Sequence, residues 1–191
     1  MDRREAVQYI SLLLGGTIAG SNYFLSGCKS NTGRSMTFSP DDISWLDEVA
    51  DTILPATKTP GAKAAKVGQF MTVMVNDCYD ETDQKIFHEG MNKLDDFSNK
   101  NYDNSFMKIN AQQRHDLLVK LDNEQKEYMK IKKESDPSHY FRMMKELALL
   151  GYFTSEIGMT QALRYVEAPG RYDPCVPYKP GDKAWAPTTI R

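Results

Sequence analysis

The residue pattern with the clearest chemistry is Leu25-Ser26-Gly27-Cys28. It resembles a bacterial lipobox, where a leader is cut and the newly exposed cysteine is acylated at its sulfur. The segment before it suits that reaction. Arg3 and Arg4 make a charged start, residues 10–19 form a short apolar stretch, and small residues lead to the cut. The stretch is far shorter than the roughly 20 residues that span a bilayer, and Gly15, Gly16 and Gly20 weaken it. Residues 1–27 therefore read as a removed signal peptide, with Cys28 heading the mature chain. A lipidated Cys28 would hold the protein on the periplasmic side of a bacterial membrane. Several acyl chains, at ~0.8 kcal/mol per buried CH₂, suffice for that. Asp2-Arg3-Arg4-Glu5-Ala6-Val7 looks like a twin-arginine export signal. Ala6 and Val7 stand where bulkier residues are usual, and an ordinary secretory signal is the alternative.

Other reactive side chains form no recognisable site. His88, His115 and His139 fall on separate elements and match no metal-ligand spacing, which points to exposed or capping roles. There is no C-x-x-C-H for covalent haem and no G-x-S-x-G for a serine nucleophile. Gly15-Gly16-Thr17-Ile18-Ala19-Gly20 lies inside the leader and lacks the strand–turn–helix setting of a dinucleotide loop. The methionines suit soft core packing, with a copper site as the alternative. Carboxylate pairs such as Asp41-Asp42 and Asp95-Asp96 are expected on solvated helix surfaces.

Cys78 and Cys175 remain once Cys28 is assigned to lipid. Export to an oxidising compartment permits a disulfide between them, and two free, buried thiols are the alternative. A bond would close a loop for which chain entropy predicts ~4–5 kcal/mol.

Net charge is −2, and the leader itself is neutral. That offers no electrostatic basis for binding nucleic acid. Lys130-Ile131-Lys132-Lys133 lies beside Glu127 and Glu134 and reads as a solvated helix face. About 164 residues follow the leader, enough for one domain with a real core.

The elements follow from periodicity. Residues 28–38 are polar and read as a tether from the lipid to a helical domain over 39–191. Ser39-Pro40 starts a first helix with Ile43, Leu46, Val49, Ala50 and Ile53 on one face, and Pro55 stops it. A second carries Val67, Phe70, Met71, Met74, Val75 and Cys78. A third begins near Asp80 and carries Ile86, Phe87, Met91, Leu94 and Phe97, with a polar loop expected over 98–105. Asn110 and Gln113 form a capping box for a fourth helix bearing Leu117, Leu118 and Leu121. Asp136-Pro137-Ser138 is expected to start a fifth, with Phe141, Met144, Leu147, Ala148 and Leu150. Gly158 ends or kinks it. From about 168, prolines and glycines exclude a long helix or a central strand. The fold class is all-α: an irregular bundle of about five main helices with an extended C-terminal arm.

The ordered motifs also carry a resemblance. Ile53-Leu54-Pro55 precedes Thr59-Pro60-Gly61-Ala62, then Asn76-Asp77-Cys78-Tyr79. Phe141-Arg142-Met143-Met144-Lys145-Glu146-Leu147 and Gly151-Tyr152-Phe153-Thr154-Ser155-Glu156-Ile157-Gly158 follow, then Leu163-Arg164-Tyr165, Pro169-Gly170-Arg171-Tyr172 and Cys175-Val176-Pro177. Over most of residues 39–178 this is similar to the gluconate 2-dehydrogenase subunit 3 family. The resemblance implies a small accessory subunit, without a cofactor of its own, of a periplasmic sugar or polyol dehydrogenase. The implied large subunit is a glucose–methanol–choline-type flavoprotein carrying FAD, often with a cytochrome c subunit carrying haem. The implied role is export and assembly of the flavoprotein, and the lipobox adds anchoring. The alternative is a stand-alone lipoprotein acting as a binding module.

A partner surface is expected over 152–165 and 169–178, at Tyr152, Phe153, Glu156, Tyr165, Arg171, Tyr172 and Tyr178. Tyrosine and arginine dominate interface hot spots, and the arm's breakers hinder burial of its own aromatic groups. The alternative is that the arm caps the bundle's own core.

Overall fold

In the computed structural model, residues 37–168, 170–171 and 174–187 are described. The leader, Cys28, the tether up to residue 36 and Tyr172 lie outside them. Five helices carry the fold: α1 (Pro40–Ile53), α2 (Val67–Cys78), α3 (Glu81–Tyr102), α4 (Ala111–Ile131) and α5 (Tyr140–Thr154). A π-helical turn (Gly158–Ala162) follows, and β1 (Arg164–Val166) pairs in parallel with β2 (Trp185–Pro187).

Local chemistry sets most of the starts. Ser39 Oγ accepts the Asp42 amide, and the Asp42 carboxylate accepts the Ser39 amide, so α1 opens on a full capping box. Asn110 and Gln113 make the expected box on α4. Asp80 caps α3 through the Asp83 amide. Two boundaries differ from expectation. Helix α3 runs through Tyr102, across the region expected to be a loop. Ser98 is buried and its hydroxyl donates to the Asn104 carbonyl at 2.7 Å, which draws the polar end back onto the helix. Asp103, at φ 53°, then ends the helix in place of a glycine. Helix α5 starts at Tyr140, not at the Asp-Pro-Ser. His139 Nδ1 accepts the Phe141 amide at 3.2 Å, so an imidazole is the cap.

Helix α5 is the centre of the bundle and packs on all four other helices. Its buried residues are Phe141, Met143, Met144, Leu147, Ala148, Gly151 and Tyr152, which form one broad face over about half of its circumference. Against them stand Leu46 and Val49, Met71 and Val75, Phe87 and Leu94, and Leu117 and Leu121. Each fully buried side chain of this size contributes roughly 1.5–3 kcal/mol.

The closest helix pairing is α1 with α2, and it has an electrostatic explanation. The residue before α2, Lys66, is left-handed at φ 53° and offers no side-chain cap. The cap comes from another helix: Asp47 of α1 accepts the Gly68 amide at 2.7 Å. Glycine is required there, because a Cβ would stand 2.5 Å from the Ile43 carbonyl oxygen. Glu48, one residue on, pairs with Lys63 at 2.9 Å and with Arg114. Arg114 also donates to the Phe106 and Met107 carbonyls, so one carboxylate ties both connecting loops to α1. Asp95 also departs from the solvated role expected of it. It accepts the Trp45 indole at 3.3 Å and the Phe106 amide at 2.9 Å.

Burial raises the Asp47 carboxyl above its usual range, even though the Gly68 amide and Lys63 pull it down. A carboxyl raised in the folded chain favours folding less as pH climbs through that window. Asp47→Asn, which keeps the acceptor and sheds the charge, is therefore expected to be at least as stable as the parent at pH 7. Asp47→Ala should lose about 1–2 kcal/mol, the usual cost of a lost cap. Urea unfolding of the two variants checks this, and equal losses would refute the cross-helix cap.

Asp122 behaves in the opposite way. Burial pushes its carboxyl up, but hydrogen bonds from Lys126, Lys145 and Gln125 together outweigh that and bring it to about 2. A lowered carboxyl stabilises the fold above its unfolded value near 4 and loses that contribution as pH falls toward about 2. Lys145→Met should flatten this acid dependence, read from unfolding midpoints between those limits.

Candidate functional site

After α5 the chain leaves the core. Ser155 closes the helix: its hydroxyl donates to the Tyr152 carbonyl at 2.7 Å and accepts the Gly158 amide at 3.0 Å. The π-helical turn then aims β1 outward. The register of the strand pair is Arg164 with Trp185, Tyr165 with Ala186 and Val166 with Pro187. Arg164 is the hub of this small sheet. Its guanidinium lies 4.4 Å from the centre of the Trp185 ring, within 3.7 Å of Asp182, and its amide donates to the Ala184 carbonyl at 2.8 Å. Lys183 reaches back to the Gln161 carbonyl and ties the ladder to the π-helical turn.

Part of the segment between the strands lines a cleft with the ladder. Pro174, Val176, Pro177 and Tyr178 form one wall of an open cleft of about 460 Å³; Arg164, Asp182, Lys183, Ala184 and Trp185 form the other. Trp185 is 51 % exposed and Tyr178 74 %. With Val176 they place large apolar groups around one cleft, whereas Tyr165, exposed too, alternates with Arg164 on β1 and lies outside that lining. No described residue beyond Ala162 joins or packs against the core cluster. The described aromatic groups of the arm, Tyr178 and Trp185, are exposed.

The expected interface residues divide. Phe153, Glu156, Tyr165, Arg171 and Tyr178 are exposed. Tyr152 is not: it is 4 % exposed and its hydroxyl donates to the Pro60 carbonyl at 2.7 Å. It fastens α5 to the loop after α1, and Phe153 packs edge-on against it with ring centres 5.2 Å apart. The strand pair departs from the extended arm expected from about residue 168. The signal was present in the β-prone Arg164-Tyr165-Val166, but its partner lies far along the chain.

Elsewhere, a cleft of about 370 Å³ between α1 and α3 is lined by Asp41, Asp42, Trp45, Met91, Asp95 and Met107. Asp42 and Asp95 there are engaged in the cap and loop bonds already described. The histidines are scattered: His88 stacks on Phe38 at 4.2 Å, His139 caps α5, and His115 is exposed. Burial lowers the His139 imidazole, and Glu124 at 3.8 Å opposes that. Among the described residues no group of three His, Cys, Asp or Glu side chains stands close enough to hold a metal ion. None of their helices is long and apolar enough to cross a membrane. Cys78, with its Sγ 4.0 Å from Met74 Sδ, and Cys175 in the arm are both exposed, not buried as one reading of the thiols had it.

The sequence model of the family described as Gluconate 2-dehydrogenase subunit 3 matches residues 40–170. Comparison with curated proteins and with solved structures gives no match.

The ladder's dependence on Arg164 is testable. Arg164→Ala removes the guanidinium from Trp185, a contact worth roughly 0.5–1 kcal/mol at an exposed site. Faster protease cleavage within 167–184 is expected, with the thermal midpoint of the bundle unchanged. Equal cleavage rates would show that the ladder is held by other contacts.

Proposed function

This chain belongs to the gluconate 2-dehydrogenase subunit 3 family, the accessory subunit of a dehydrogenase, and on that premise we propose its particular role. It is the non-catalytic small subunit of a membrane-associated, FAD-dependent sugar or glycoside dehydrogenase of the glucose–methanol–choline type. It assists export and assembly of the flavoprotein and anchors it on the periplasmic side of a bacterial membrane through acylated Cys28. FAD belongs to the large subunit, and haem c, where a third subunit is present, to a cytochrome. This chain's own residues bind and position.

The observation that carries the reading is the arm. Val176, Tyr178 and Trp185 are exposed around one cleft of the arm. Exposed apolar groups gathered in this way support a site for a protein partner. The leader supports the rest: Arg3-Arg4 suits export of a partner folded around its flavin, and Leu25-Ser26-Gly27-Cys28 suits a lipid anchor. Cys78 and Cys175 are both exposed, and that compartment permits a disulfide between them.

Co-expression of the full chain, tagged at its C-terminus, with the flavoprotein subunit tests this. A stable complex with flavin absorbance in the partner fraction is expected. A chain that purifies alone would favour the stand-alone lipoprotein. Mass spectrometry of the mature N-terminus should find Cys28 first and acylated; an unmodified N-terminus upstream of Cys28 would remove the anchor.

A further inference from the structure

In 174–180 the prolines Pro174, Pro177 and Pro180 recur every three residues. Three residues per turn is the repeat of the polyproline II helix, so prolines at this spacing share one edge. Each proline holds φ near −65°, and Val176 and Lys179, directly before prolines, are steered to extended backbone. Most of the segment is therefore restricted before any partner arrives. Every residue of 174–180 is exposed, and 175–179 belong to no helix or strand.

The downstream end of the segment is held. There, the Lys179 amide donates to Asp182 Oδ2 at 3.0 Å, the Asp182 amide donates to the Lys179 carbonyl at 3.0 Å, and Gly181 supplies φ 93° for the turn. The proline restraints and this downstream turn lower the ordering cost of binding.

Charge indicates what it fits. Residues 37–163 carry 21 acidic and 15 basic side chains, whereas 164–191 carry three acidic and five basic. The basic residue nearest the ridge, Lys179, follows Pro177 by two positions, giving the sequence Pro-x-x-Pro-x-Lys. Proline ridges of this kind are received by grooves lined with aromatic side chains. A neighbouring lysine adds preference for a groove with acidic groups at its rim. The cleft between the ridge and Trp185 is open, so an aromatic side chain of the partner can enter beside Pro174 and Pro177.

We propose that 174–180 is a polyproline-type ridge by which this chain docks into an aromatic-lined, acid-rimmed groove of the dehydrogenase subunit. The inference rests on the subunit reading above and adds its mode of recognition. The test compares the full chain with a variant carrying Pro174→Ala, Pro177→Ala and Pro180→Ala, and with Lys179→Glu. Each is titrated against the purified flavoprotein subunit by biolayer interferometry. The triple variant should bind about tenfold more weakly or worse, as expected when a hot spot is removed. Lys179→Glu should bind more weakly at low salt and approach the parent at high salt. Both should keep the parent's circular dichroism and thermal midpoint. A triple variant that binds as tightly as the parent overturns the ridge and leaves the subunit reading intact. A parent chain that does not bind the flavoprotein at all overturns both.

Discussion

The single broad apolar face of α5 is the constraint from which the rest follows. Phe141, Met143, Met144, Leu147, Ala148 and Tyr152 cover about half of the helix's circumference. All four other helices pack on α5, while Glu146 and Leu150 on its opposite side face solvent. The faces of those four helices are narrower because each has only α5 and a neighbour or two to meet. Beyond Thr154, Ile157 and Ala162 still pack against the core, whereas Tyr165, Tyr178 and Trp185 are exposed.

Apolar packing alone does not set the helices' positions; buried polar groups do. The carboxylates of α1 act as acceptors for groups elsewhere in the chain: Asp47 for the start of α2, Asp51 for the Lys63 amide, and Glu48 for Lys63 and Arg114. Asp95 does the same for Trp45 and the Phe106 amide. An unpaired buried amide costs about 1–3 kcal/mol, so each bond fixes where a loop crosses the bundle. The acidity of α1, which by composition alone reads as a solvated face, is largely internal wiring.

In the proposed function the displayed arm is the bundle's contribution to an interface. Its strand pair is only three residues long on each side and parallel, an arrangement rarely left uncovered. Arg164 holds it by stacking on Trp185 and pairing with Asp182. Binding groups mounted on such a clamp lose little freedom when a partner arrives.

The sequence by itself determined the all-α class, the starts of α1, α3 and α4, and the apolar faces, because caps and helical periodicity act over a few residues. It also carried the family, through motifs read in order along the chain. It misplaced the end of α3, because Ser98 is drawn inward by a carbonyl six residues away, and the start of α5, because an imidazole replaced the expected cap. Only the tertiary structure decided which aromatic residues face outward. Tyr152 and Tyr178 are the same residue type in neighbouring motifs, yet one bonds to Pro60 across the fold and the other stands in solvent. Only it brought Arg164 to Trp185, since pairing between distant strands depends on the path of the whole chain between them. Local rules reach as far as one helix turn; burial and long-range hydrogen bonds are settled by what the assembled bundle has room for.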